Sequence, residues 1–112
     1  MEVETPFVKF EIYIPAENLE ELAEALYGAG VGKIGAYDHC LSITEVAGRW
    51  RPLENARPYL GESGQVFSGR EIKVEANCAR ENAQAALQAI RRVHPYEEPV
   101  INILPMINHL FS

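Results

Sequence analysis

Two cysteines in 112 residues leave little material for a disulfide framework. Cys40 and Cys78 stand 38 positions apart, with no C-x-x-C pair. The expectation is two half-buried thiols in a reduced cytoplasm rather than a bridge. There is no apolar window of about 18 residues, so no membrane-spanning helix and no membrane partner are expected. A secretory leader is not expected either, because Met1 is followed by Glu2 and Glu4, without a basic start and an apolar run. Basic charge is scarce: 10 Lys and Arg face 16 Asp and Glu, for a net charge of −6. That balance argues against nucleic acid as a partner. No serine lies in a G-x-S-x-G elbow, so nucleophilic catalysis has no support. What remains is 47% hydrophobic and 23% charged, the mix of one globular domain over residues 1–112.

Periodicity supplies the elements. Residues 7–14 (FVKFEIYI) alternate, with Val8, Phe10, Ile12 and Ile14 on one side, which reads as a strand with one buried face. Pro15 stops it. Across 16–29 the period changes: Leu19, Leu22, Ala23, Leu26 and Tyr27 form one helical stripe, and Gly28 and Gly30 mark its end. His39–Val46 is expected as a second strand, and 70–76 (REIKVEA) as a third that begins near Gln65–Phe67. Between them, 48–64 (GRWRPLENARPYLGESG) reads as a long loop, and long loops are often functional. Asn77 is expected to cap a second helix, whose stripe runs through Ala79, Ala83, Ala86, Leu87, Ile90 and Val93 until Pro95. Residues 98–104 make a last strand, apolar on both faces, and the MINHLF segment (106–111) adds an apolar end. The order β-α-β-β-α-β predicts an α+β, ferredoxin-like sandwich with both helices on one face of an antiparallel sheet. The other face, with Tyr13, Lys73 and Glu75, is then exposed or oligomeric.

Three strings carry a family resemblance: G-x-G-K-I-G-x-Y-D-x-C (Gly30–Cys40), R-P-L-E-N-A-x-P-x-L-G-E-x-G (Arg51–Gly64) and H-P-Y-E-E-P (94–99). Together they resemble the insert domain of the YqfO-type, Ngg-interacting-factor-like family, which is similar in turn to the CutA and PII signalling proteins. The resemblance implies the ferredoxin-like fold and a homo-oligomer, a trimer or else a dimer. The family's dinuclear-metal ligands lie in flanking halves outside these strings, so the resemblance implies a free-standing insert domain without that activity. The CutA likeness implies, as an alternative, a divalent-cation-binding protein. A further alternative is an accessory subunit of a dinuclear-metal hydrolase-like protein.

Several residue groups are candidates for chemistry. His94, Tyr96, Glu97 and Glu98 combine imidazole and carboxylate donors on a rigid turn, or else simply stop a helix. His39 and Cys40, with His94 converging on them, are the candidate metal ligands, although the chain motif supplies only two in sequence. Gly28, Gly30, Gly32 and Gly35 suggest a phosphate loop but lack its G-K-[ST] ending, and fit a turn that needs positive φ. Arg49, Trp50, Arg51 and Arg57 form a basic-aromatic cluster suited to an interface, an anion or a surface network. The expectation is a non-catalytic, self-associating regulatory, sensor or scaffold domain with no cofactor and an unknown small ligand. Its functional surface would be the 48–64 segment and the 94–98 turn.

Overall fold

A computed structural model describes residues 4–111. The leader reading at Met1 and Glu2 lies outside the described residues. The strands are β1 (Phe7–Ile14), β2 (Ser42–Trp50), β3 (Phe67–Ala79) and β4 (Ile101–Met106); the helices are α1 (Leu19–Gly28) and α2 (Ala83–Val93). They form one antiparallel sheet in the order β2-β3-β1-β4. The ferredoxin-like expectation therefore holds, with β1 and β3 central and β2 and β4 at the edges.

Alternation builds the core. Val8, Phe10, Ile12 and Ile14 of β1 lie beside Ile72, Val74, Ala76 and Cys78 of β3, all buried. Leu22 and Leu26 of α1 and Ala86 and Ile90 of α2 close over them. Helix α1 ends in a Schellman motif. The Gly30 N–H donates to Tyr27 O and the Val31 N–H to Leu26 O, with Gly30 at φ 82°. Val31 is buried, completing the hydrophobic contact that accompanies this cap. The glycine run is thus a turn: Gly30, Gly32 and Gly35 all have positive φ, whereas Gly28 closes the helix.

Four boundaries differ from the sequence reading. β2 begins at Ser42 rather than His39 and continues through Gly48, Arg49 and Trp50, which the sequence alone reads as loop. β3 runs to Ala79, so Asn77 is a strand residue opposite Lys9 and not a helix cap, and Ala79 pairs with Phe7 instead of joining the helix stripe. The pairing energy of a full-length neighbour overrides the local capping preference of asparagine. β4 begins at Ile101, not residue 98, and includes Pro105; a proline is tolerated there because β4 is an edge.

The face away from the helices carries Lys9, Glu11, Tyr13, Lys73 and Glu75. Lys9 pairs with Glu75, and Asn102 Nδ2 donates to Glu11 at 2.8 Å. No helix among the described residues is long and apolar enough to cross a membrane, and both cysteines are free, Cys78 buried and Cys40 half-buried. Ile90 has no solvent exposure, whereas Leu87 is only partly buried against the core. Ile90→Ala should therefore cost about 2–5 kcal/mol of unfolding free energy in a urea titration, and more than Leu87→Ala; equal losses would contradict this packing.

Candidate functional site

The 94–98 turn is tied to the end of β1 by one imidazole. His94 is buried. Its Nε2 lies 2.6 Å from Tyr13 O, and its Nδ1 accepts the Tyr96 N–H at 3.2 Å. With Nδ1 accepting and Nε2 facing a carbonyl, the ring is the neutral tautomer protonated at Nε2. Burial pushes its pKa below the ordinary histidine value, against the opposing effect of the bond to Tyr13.

This clip aims Tyr96 across the sheet end. The Tyr96 hydroxyl donates to Glu71 Oε2 at 3.1 Å. Burial, with the Glu71 carboxylate next, pushes the phenol far above its ordinary value, so it stays a donor. Glu71 is on β3 opposite Val46, on the face turned away from the helices, yet it is buried. Gly48 makes that possible: a Cβ there would collide with the Glu71 carboxyl, 2.8 Å from its Cδ. Trp50 and Phe67, opposite each other at the far end of the β2–β3 hairpin, stack with ring centres 4.8 Å apart. Trp50 also meets Tyr96 at 5.5 Å, and its indole N–H donates to Leu60 O at 3.0 Å, folding the connecting loop back. Tyr59 joins Tyr96 at 5.9 Å. The Glu97 carboxylate accepts the Arg57 backbone N–H through both oxygens, at 3.0 and 3.2 Å.

These contacts border an open-mouthed cavity of about 680 Å³ between the open sheet face and the loop. Arg49, Trp50, Arg51, Tyr96, Glu97 and Glu98 line it; Arg57 touches it through Glu97, and His94 stacks behind Tyr96 at 4.9 Å. The two segments singled out in the sequence thus meet in space. Trp50 is not a loop residue, however: it sits on β2 and anchors the loop.

The three metal candidates are not brought together. Cys40 N–H donates to Gly32 O, and Gly32 N–H to Asn77 O, beside the start of β1; His94 sits at the end of β1. His39, at φ 60°, stacks on Tyr27 at 3.7 Å and bonds Asp38 at 2.8 Å. Cys40 Sγ faces Asp38 O at 3.6 Å. Among the described residues no group of three or more His, Cys, Asp or Glu is placed to hold a metal. The sequence reading missed Glu71, Gly48 and Tyr59. Glu71 looks like one more polar position of an alternating strand, and only the two glycines opposite each other, Gly48 and Gly69, signal an unusual hairpin.

Comparison with known proteins agrees with this fold. The chain is 36% identical over 101 residues to the GTP cyclohydrolase 1 type 2 homolog of Bacillus subtilis, and 35% over 99 residues to the protein of that name in Listeria monocytogenes. These matches take in 90% and 88% of this chain but 27% and 26% of the relatives, so the chain spans about a quarter of their length. The structure superposes on a Bacillus cereus protein related to NIF3 with a TM-score of 0.79 and 28% identity, covering 94% of this chain and 27% of that one. CutA1 from Shewanella sp. SIB1 gives 0.70 at 19% identity, covering 94% and 85%; Bacillus subtilis GlnK gives 0.61 at 18%, covering 89% and 83%. No family model matches. The chain is therefore a small α+β domain with the CutA- and PII-like ferredoxin fold. It is similar in sequence and fold to one segment of the YqfO-type, NIF3-related proteins.

The buried histidine generates a pH prediction. The folded ring resists protonation more than the unfolded one, so the unfolded chain binds the proton first as pH falls. The stability from the neutral ring is complete above about 6.5 and is lost as pH drops below that toward the folded-state value. From about pH 7.5 to about pH 5, unfolding free energy should fall more steeply for the native chain than for His94→Gln, whose amide can still donate to Tyr13. Parallel curves would contradict a buried ring that resists protonation.

Proposed function

We propose that this domain is a non-catalytic, self-associating module of the cytoplasm with a regulatory, sensor or scaffold role, working through the surface where 48–64 meets 94–98. One observation carries the proposal. Val100, Ile103, Leu104, Ile107, Leu110 and Phe111 all stand exposed along edge strand β4 and the turn after it. An unpaired edge flanked by apolar side chains is a template for another chain unless something covers it. The sheet has two different edges, β2 and β4, and head-to-tail contacts between unlike surfaces close into rings. A trimer is the expected state and a dimer the alternative.

Sedimentation equilibrium at tens of micromolar should give a multiple of the 12.5 kDa chain mass; a monomer would defeat the proposal. If Trp50 anchors the partner, Trp50→Ala should weaken association by about 2 kcal/mol or more while costing the monomer fold less than Ile90→Ala does. Unchanged assembly with a destabilised fold would make Trp50 a hairpin anchor only.

A divalent-cation-binding role, suggested by the CutA likeness, makes a different forecast. The separation of His39 and Cys40 from His94 along β1 supports protein that purifies without a stoichiometric transition metal. One equivalent of zinc, copper or iron per chain, lost in His39→Ala or His94→Ala, would promote the cation-binding role instead.

A further inference from the structure

Glu71 is a carboxylate only 8% exposed, and no ion pair found among the described residues includes it: those pairs are Lys9–Glu75, Lys73–Glu75 and His39–Asp38. Its hydrogen bond comes from a neutral phenol, to Oε2 alone. Oε1 lies over Gly48, and the residue lines the cavity, so the carboxylate opens toward that space and not into the helix-side core. Buried acids are ordinarily paired, because removing a charge from water without a counter-charge is costly.

The walls indicate which counter-charge fits. Trp50, Tyr59, Tyr96 and Tyr13 line the same cavity. Aromatic faces carry negative potential and attract cations, most strongly where water is excluded. A hard metal ion would need several convergent oxygen ligands, whereas Glu71 is the one buried carboxylate of the lining, Glu97 is engaged by the Arg57 N–H, and no group of three or more His, Cys, Asp or Glu among the described residues is placed to hold a metal. Arg49 and Arg51 line the cavity too, but both residues are exposed, and solvent screens their charge. The volume, about 680 Å³, is that of a small-molecule pocket.

We propose that this cavity binds a small organic ammonium ion with an apolar or aromatic body, its charged head against Glu71 and its body between Trp50 and Tyr59. The proposal deepens the sensor reading by giving it a ligand class, and it rests on that reading. The two fail separately: a monomer by sedimentation defeats self-association and leaves ligand binding untouched.

The chain's single tryptophan lines the cavity, so its fluorescence reports occupancy directly. Benzyltrimethylammonium chloride titrated into the full chain should quench Trp50 saturably, and sodium benzoate, an anion of similar shape, should not. Glu71→Gln should weaken binding about tenfold, the loss of one ionic attraction, with the circular dichroism spectrum preserved. If Glu71→Gln does not fold, Tyr59→Ala, an exposed wall residue, should weaken binding at least threefold. Benzoate binding as tightly as the cation would overturn the proposal in favour of an anion site built on Arg49 and Arg51. Unchanged affinity in the variants, or no saturation with the cation, would also overturn it. So would quenching that appears only on self-association, which would assign the counter-charge to a second copy of the chain.

Discussion

A single neutral imidazole joins the core of this domain to its candidate site. His94 Nε2 meets Tyr13 O at the last turn of the central strand, and Nδ1 receives the Tyr96 N–H. The first bond fixes where α2 ends relative to β1; the second fixes the direction in which the chain leaves. Pro95 between them cannot continue the helix and biases His94 toward the extended conformation it adopts, at φ −77° and ψ 128°. Everything downstream inherits this geometry. Tyr96 reaches Glu71, Glu97 reaches the backbone of Arg57, and β4 is delivered antiparallel to β1. A protonated ring would lose its acceptor, so the neutrality that burial enforces is itself a structural requirement.

The second constraint is the hairpin. β2 and β3 pair from Ser42–Glu75 out to Trp50–Phe67. Side chains on the outward part of this ribbon cannot rest on a helix layer, so they pack on one another. Gly48 and Gly69 leave room for this: a Cβ at Gly69 would meet the Phe67 ring at 2.7 Å, and one at Gly48 would displace Glu71. Glycine weakens a strand interior and often marks close approach of another group. Here the group admitted is a carboxylate on one glycine and an aromatic ring on the other.

Much of the fold was legible because its signals are local. The period-2 alternation of β1 and the period-3.6 stripe of α2 each turn one face to the core: Phe10, Ile12, Ile14, Ala86 and Ile90 are fully buried, whereas Ala83, Leu87 and Val93 are partly so. The glycine turn after α1 was legible as positive φ, and the positive φ of Gly30 builds the cap that receives Val31. The errors came where pairing overrode local preference. Asn77 has the chemistry of a cap, but Lys9 lies opposite it and the strand continues. Trp50, between two arginines and next to a proline-bearing stretch, reads as loop, whereas Phe67 pairs with it from seventeen positions away. The site was only half legible for the same reason. Its segments could be named from their unusual composition, but the bond from Arg57 to Glu97 spans forty positions and no periodicity reports it.

The placement of the cavity bears on how such a domain could respond to a ligand. Its floor is the sheet face turned away from the helices, its roof is the loop held by Trp50, and one wall is the turn clipped by His94. The floor belongs to the most constrained part of the molecule, since β3 and β1 are paired along eight residues and packed against both helices. The roof is held by less: one indole hydrogen bond, a few ring contacts, the Glu97 carboxylate on one peptide N–H, buried Pro52, and backbone bonds from Gly64 N–H to Pro52 O and Ala56 N–H to Leu53 O. A ligand bound between them would strain the floor little and reorder the roof readily, because an element held by few buried contacts opens at low free-energy cost. The exposed apolar row from Val100 to Phe111 begins at the edge of the same cavity, where Val100 and Asn102 are lining residues. Reordering the roof therefore alters a surface continuous with the edge through which copies of the chain would meet. If the domain binds a small molecule and self-associates as proposed, the two events would take place on adjoining surfaces, and any coupling between them would not need a signal to cross the core.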